Sequence, residues 1–129
     1  MSDPLLLDTC GLLWLAAGHR RLSGPARRRI DSATLVGVSA ITAWEVGLKA
    51  ARGELKLPME AEEWFEGAIE HHRLQVFEIT PRIAFEANRL PWHHRDPADR
   101  FILATARLHH MAVVTADDNF AIYGVETFV

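Results

Sequence analysis

Acidic residues that close apolar runs are the first places in this chain where chemistry could reside. Asp8 ends the run Leu5-Leu6-Leu7, and Asp117 follows Val113-Val114-Thr115-Ala116. Each also has a plain structural use: Asp8 could cap the helix that follows, and Asp117 with Asp118 could simply shape a turn. Glu45 lies about 40° from Ile41 and about 60° from Leu48 on a helical wheel, at the edge of an apolar stripe. A carboxylate there needs a partner or a metal. Thr42 and Glu45 have capping-box spacing, but Ser39 is the earlier N-cap and leaves Glu45 in mid-helix. Asp99 falls in the first turn after Asp96-Pro97, where an acid suits the helix dipole in any case. The wheel turns Asp99 toward Leu103 and Ala106 and puts Arg100 and Arg107 on the wet face. Asp96 itself is best used as the N-cap.

Taken together, Asp8, Glu45, Asp99 and Asp117 follow different elements and gather along one sheet edge. Four ionised acids there would repel each other strongly and could stay charged only around a cation. Oxygen donors favour Mg²⁺, with Mn²⁺ as a substitute, over zinc. Such a centre can activate water and clamp a phosphodiester. Histidine offers a rival. His93-His94-x-Asp96 in a loop could take a transition metal, although it matches no zinc signature, and the pairs His71-His72 and His109-His110 diverge on helices. Cys10 has no nearby base and reads as a packed thiol. No glycine-rich phosphate loop is present.

The elements that must position these groups alternate between strand and helix. Strands are expected at residues 4–8, 34–39, 74–79, 112–115 and 125–129. Helices are expected at 9–17, at 22–33 with Ser23 as N-cap and Pro25 in the first turn, and at 40–52 with Gly53 ending it. Further helices are expected at 60–72, 81–90 and 96–110. Strands without hairpin turns between them imply an α/β sandwich around a mainly parallel sheet, with ligands beyond the carboxyl ends of the strands.

The chain has 129 residues, enough for one domain spanning 1–129. With 49% apolar and 24% charged residues it is not disordered, and a lone cysteine allows no internal disulfide. No apolar run reaches membrane-spanning length, and the first ten residues lack signal-peptide features, so a cytoplasmic location is expected. The net charge of −3 argues against a simple basic nucleic-acid binder. Without the four acids of the site, however, the remainder is close to neutral. Arg20, Arg21, Arg27, Arg28 and Arg29 crowd together, either as a solvated helix face or as phosphate contacts.

Four segments, LLLDTCGLLWL, SAITAWEVGLKAARGEL, LPWHHRDPADRFILATA and VVTADDNFAIYGV, resemble in that order the VapC-type toxins of the PIN-domain ribonuclease family. The resemblance covers nearly the whole chain. It implies a PIN-like α/β/α sandwich with sheet order 3-2-1-4-5, and a metal-dependent RNA endonuclease that is usually dimeric and silenced by a cognate antitoxin. It maps the family's four acids onto Asp8, Glu45, Asp99 and Asp117. Thr9 and Thr115 match the hydroxyl residues that orient ligands, and Lys49 matches a basic position whose simpler use is an ion pair with Glu45. Lys49, Arg95 and Trp92 become candidate RNA contacts. Cys10 and Gly11 depart from the His-Ala common in the family, and Asp118 adds an acid beside Asp117. Two other readings remain. A phosphorelay receiver would need a late lysine, and the last one here is Lys56. A catalytically silent PIN-like binding protein would keep the fold without the cleavage.

Overall fold

The computed structural model describes residues 4–129. The strands are β1 (Leu5–Leu7), β2 (Val36–Ser39), β3 (Gln75–Phe77), β4 (Ala112–Val114) and β5 (Thr127–Phe128). They form one sheet of order β3-β2-β1-β4-β5, with every pairing parallel. The helices are α1 (Thr9–Ala17), α2 (Gly24–Ser32), α3 (Ala40–Ala51), α4 (Ala61–His71), α5 (Pro81–Arg89) and α6 (Pro97–His109). The expected strands and helices are all present, most of them a residue or two shorter at their ends. The segment after Asp117 is more than a turn: Asp118–Tyr123 forms a 3₁₀ helix.

A three-residue strand can be the centre of a sheet only if it is apolar on both faces, and Leu5, Leu6 and Leu7 are wholly buried. Their alternation divides the interior in two. Leu6 and Val113 pack with Ile83, Ile102, Leu103 and Phe120 under α5 and α6. Leu5, Leu7 and Val114 pack with Leu12, Ala26, Ile30 and Ala68 under α1, α2 and α4. Gly37 in β2 is a packing requirement, since a Cβ there would lie 2.4 Å from the Phe77 ring. Among the described residues no helix is long and apolar enough to cross a membrane.

The helix starts follow the local rules of capping. Ser23 accepts from Ala26 N, Ser39 from Ile41 N, Thr80 from Ile83 N and Asp96 from Ala98 N. Proline opens α2, α5 and α6 near the first helical position. Because β1 and β2 run straight into α1 and α3, the carboxyl ends of the central strands become helix N-termini. Short connections of this kind hold a side chain at a fixed place on the sheet edge.

Candidate metal centre

Asp8 leaves β1 and caps α1, its Oδ1 accepting the Gly11 amide at 2.6 Å. The close approach that allows this bond leaves no space on Gly11: a Cβ there would meet Val114 O at 2.8 Å and Asp8 Oδ1 at 3.1 Å. Thr115 also hydrogen-bonds to the Asp8 carboxyl. On α3, the mid-helix Glu45 finds its partner in Thr9, whose hydroxyl donates to Glu45 Oε1. Thr42 Oγ1 lies 3.2 Å from Thr9 Oγ1 and ties α3 to the start of α1. Asp117 Oδ1 caps the 3₁₀ helix through Asn119 N at 2.9 Å, while its own amide donates to Thr115 Oγ1 at 3.0 Å.

These pieces line one cleft of about 270 Å³, which includes Asp8, Glu45, Asp99, Asp117, Lys49 and Arg21. Asp96 reaches the same wall while capping α6. Asp118 is exposed at the start of the 3₁₀ helix, so of the two adjacent acids the cleft takes Asp117. Lys49 lines the cleft without an ion pair to Glu45 among the described residues. Cys10 is not a packed thiol but an exposed one at the cleft wall, because the first turn of α1 directs it outward. Arg95 and Trp92 are both exposed on the loop that precedes α6.

The electrostatics follow mainly from burial. Burial is the main reason that the Asp8 carboxyl is raised to about 6, with Glu45 and Asp117 adding repulsion against the hydrogen bonds from Thr115 and Gly11. Asp99 is raised to about 7, again mainly by burial, then by Asp96, with Glu45 and Asp8 contributing and His94 opposing. Among the described residues, none of the four acids forms an ion pair with Arg or Lys. Carboxylates that are costly to ionise together are a fitting donor set for a hard divalent cation.

Sequence reasoning grouped His94 with His93 and Asp96, whereas the structure sets it against two acids of the cleft. His94 Nε2 sits 3.0 Å from Asp99 Oδ2 and 2.9 Å from Asp117 Oδ2. His94, Asp99 and Asp117 are also a group whose ligand atoms all lie within 4.8 Å of one another. The His93-His94-x-Asp96 grouping does not form as a ligand set. His93 turns to the edge of Tyr123, with ring centroids 5.7 Å apart, and Asp96 caps its helix. The one available signal was a histidine in the loop just before the N-cap of an acid-bearing helix.

Arg100 corrects a second expectation. It is 3% exposed rather than on the wet face. Its guanidinium donates to Ala87 O and Leu90 O at 2.6 Å, to Pro91 O at 3.0 Å and to His94 O at 2.9 Å. Ala87 and Leu90 belong to the carboxyl end of α5, whose last carbonyls lack partners within the helix and favour a cation. Trp92 covers the guanidinium, with Cζ 3.6 Å from the ring centroid.

A parallel sheet of this order, with four acids at its carboxyl edge, defines a recognisable class. Residues 5–126 match the PIN domain family, and the chain belongs to it. It is 36% identical over 114 residues to Ribonuclease VapC22 of Mycobacterium tuberculosis, covering 88% of this chain and 86% of the relative. Its structure resembles a toxin–antitoxin complex from Klebsiella pneumoniae, with TM-score 0.65, 26% identity and 94% of each chain covered. It also resembles VapBC2 from Rickettsia felis bound to a promoter DNA fragment, with TM-score 0.73, 13% identity and 97% of each chain covered. At that lower identity the likeness concerns the fold.

Proposed function

We propose that this chain is a metal-dependent endoribonuclease and the toxin half of a toxin–antitoxin pair. The observation that carries the reading is the convergence of Asp8, Glu45, Asp99 and Asp117 on one cleft at the carboxyl edge of the sheet. The 36% identity to a protein named a ribonuclease supports the activity, and the likeness to toxin–antitoxin complexes supports the partner.

Asp8, Asp99 and Asp117 would hold the ion, Mg²⁺ or in its place Mn²⁺, and Glu45 would bind it directly or through water. A bound divalent ion supplies a more acidic water and offsets charge on the phosphate. The chain's own residues supply the positioning. Thr9 fixes the Glu45 carboxylate, and Thr115 steadies both Asp8 and the backbone of Asp117. Lys49 and Arg21 line the same cleft and can take the phosphates on either side of the scissile one. Arg95 and the exposed Trp92 would extend the contact along the loop before α6, Trp92 by stacking on an unpaired base. Hydrolysis of a phosphodiester there leaves a 5′-phosphate and a 3′-hydroxyl.

The same cleft explains how the activity could be held off. An antitoxin that placed an arginine or lysine among the four acids would supply the missing cation and occupy the ion's place. We propose that the chain acts in the cytoplasm as a homodimer, with RNA as substrate. Incubating the purified chain with RNA, with and without Mg²⁺, tests the reading. Cleavage that needs Mg²⁺ and disappears in Asp99→Asn supports it. RNA that stays intact with the ion present leaves a silent PIN-like binding protein.

A further inference from the structure

His94 has a role that the four acids do not require. Its Nε2 stands between Asp99 on α6 and Asp117 beyond β4, within 3.0 Å of an oxygen of each. A nitrogen so placed either gives a lone pair to an ion or holds the two carboxylates with its hydrogen. The other ring nitrogen decides between them. The backbone N–H of Asp96 donates to His94 Nδ1 at 3.3 Å, so Nδ1 is the acceptor and the ring hydrogen sits on Nε2. An Nε2–H has no lone pair to offer a cation.

The backbone of His94 is held from both sides. Tyr123 Oη accepts the His94 amide at 2.7 Å and donates to Pro91 O at 2.7 Å. Arg100 donates to the His94 carbonyl at 2.9 Å, and also ties down Ala87, Leu90 and Pro91. The ring itself lies edge-on to Phe120, with centroids 5.8 Å apart. A buried arginine, a tyrosine hydroxyl and a phenylalanine thus fix one imidazole at one spot.

We infer that His94 is a positioning residue whose Nε2–H bridges Asp99 and Asp117 and sets the spacing of these two carboxylates, with Arg100 and Tyr123 clamping the loop that carries it. This rests on the reading of Asp99 and Asp117 as metal ligands. Supporting residues of this kind typically change metal affinity about 10–100-fold.

The test is calorimetric titration of Mn²⁺ into the folded chain and its variants, with the thermal midpoint of each recorded. Glutamine can put an N–H where Nε2 stands, whereas leucine has no donor and asparagine is too short. His94→Leu and His94→Asn should each lose about 10–100-fold in affinity, and His94→Gln should stay within about threefold of the parent by the same reasoning. If leucine impairs folding, the asparagine variant carries the test. Pulsed electron resonance of the Mn²⁺-loaded parent should reveal no directly bound imidazole nitrogen. Unchanged affinity in both the leucine and the asparagine variant overturns the bridge. So does a glutamine variant as weak as the leucine one, or a nitrogen coupling of a bound ligand. Asp99→Asn separates the two levels: if it too binds Mn²⁺ as the parent does, the metal reading falls, and if it alone loses affinity, only the role of His94 falls.

Discussion

The two ends of the sheet treat their carboxylates in opposite ways. At the amino end, Glu126 precedes β5 and meets Arg29 at 2.7 Å, and the hydrogen bond from that guanidinium holds its carboxyl below the usual range. At the carboxyl end, Asp8 and Asp99 are pushed up to about 6 and about 7 by burial and by neighbouring acids. The side-chain chemistry is the same. The difference lies in whether the fold pairs the carboxylate with a guanidinium: Glu126 meets Arg29, whereas Asp8 and Asp99 form no ion pair with Arg or Lys among the described residues.

The largest effect that this contrast predicts is on activity. Asp8→Asn or Asp99→Asn should lower RNA cleavage by more than the roughly 10–100-fold typical of a supporting residue, while the chain stays folded by circular dichroism. Next comes Arg100→Met, which strips partners from four carbonyls and should cost about 3 kcal/mol or more in denaturant unfolding. A cost below 1 kcal/mol would mean that the loop carbonyls find other partners.

The third prediction concerns pH. Between about pH 4 and pH 7 the folded, ion-free chain retains protons on Asp8 and Asp99 that the unfolded chain has released. The contribution of these two groups to stability therefore falls as pH rises through that window. Asp99→Asn removes one of the two titrations, so its melting midpoint should fall less than the parent's between about pH 5 and pH 8, by a few degrees. Added Mg²⁺ should restore part of the parent's loss at the upper pH. The smallest effect belongs to the amino end. Glu126→Gln should cost about 0.2–1 kcal/mol, since the pair is solvent-exposed, and only above the range where Glu126 ionises. An effect as large as that of Arg100→Met would erase the distinction between the two ends.

Much of this was legible from local signals. Asp96-Pro97, Ser23 with Pro25, and the apolar triplet before Asp8 mark element boundaries through backbone chemistry that acts over a few residues. Glu45 was also legible, since a carboxylate beside an apolar stripe demanded a partner, although nothing in its neighbourhood pointed to Thr9. The burial of Arg100 and the contact of His94 with the cleft acids were not. A helical wheel assigns charge to solvent, but Arg100 is satisfied by carbonyls of residues 87–94, which every sequence carries and no side-chain pattern advertises. His94 reaches Asp117 only because the loop, α6 and the 3₁₀ segment close on one another.

The register of the central strand bears on timing. Leu5 pairs with Ala112 and Leu7 with Val114, so β1 gains its second neighbour only once residues 112–114 are available. Asp8 and Asp117 are the first and last acids of the cleft, and about a hundred residues separate them. At roughly 5–20 residues per second of synthesis, the first acid waits about 5–20 s on the ribosome for the last. Products that stop short of β4 lack both that strand and Asp117, and the cleft cannot form piecemeal. A nascent chain therefore holds no complete set of the four carboxylates until Asp117 has been made.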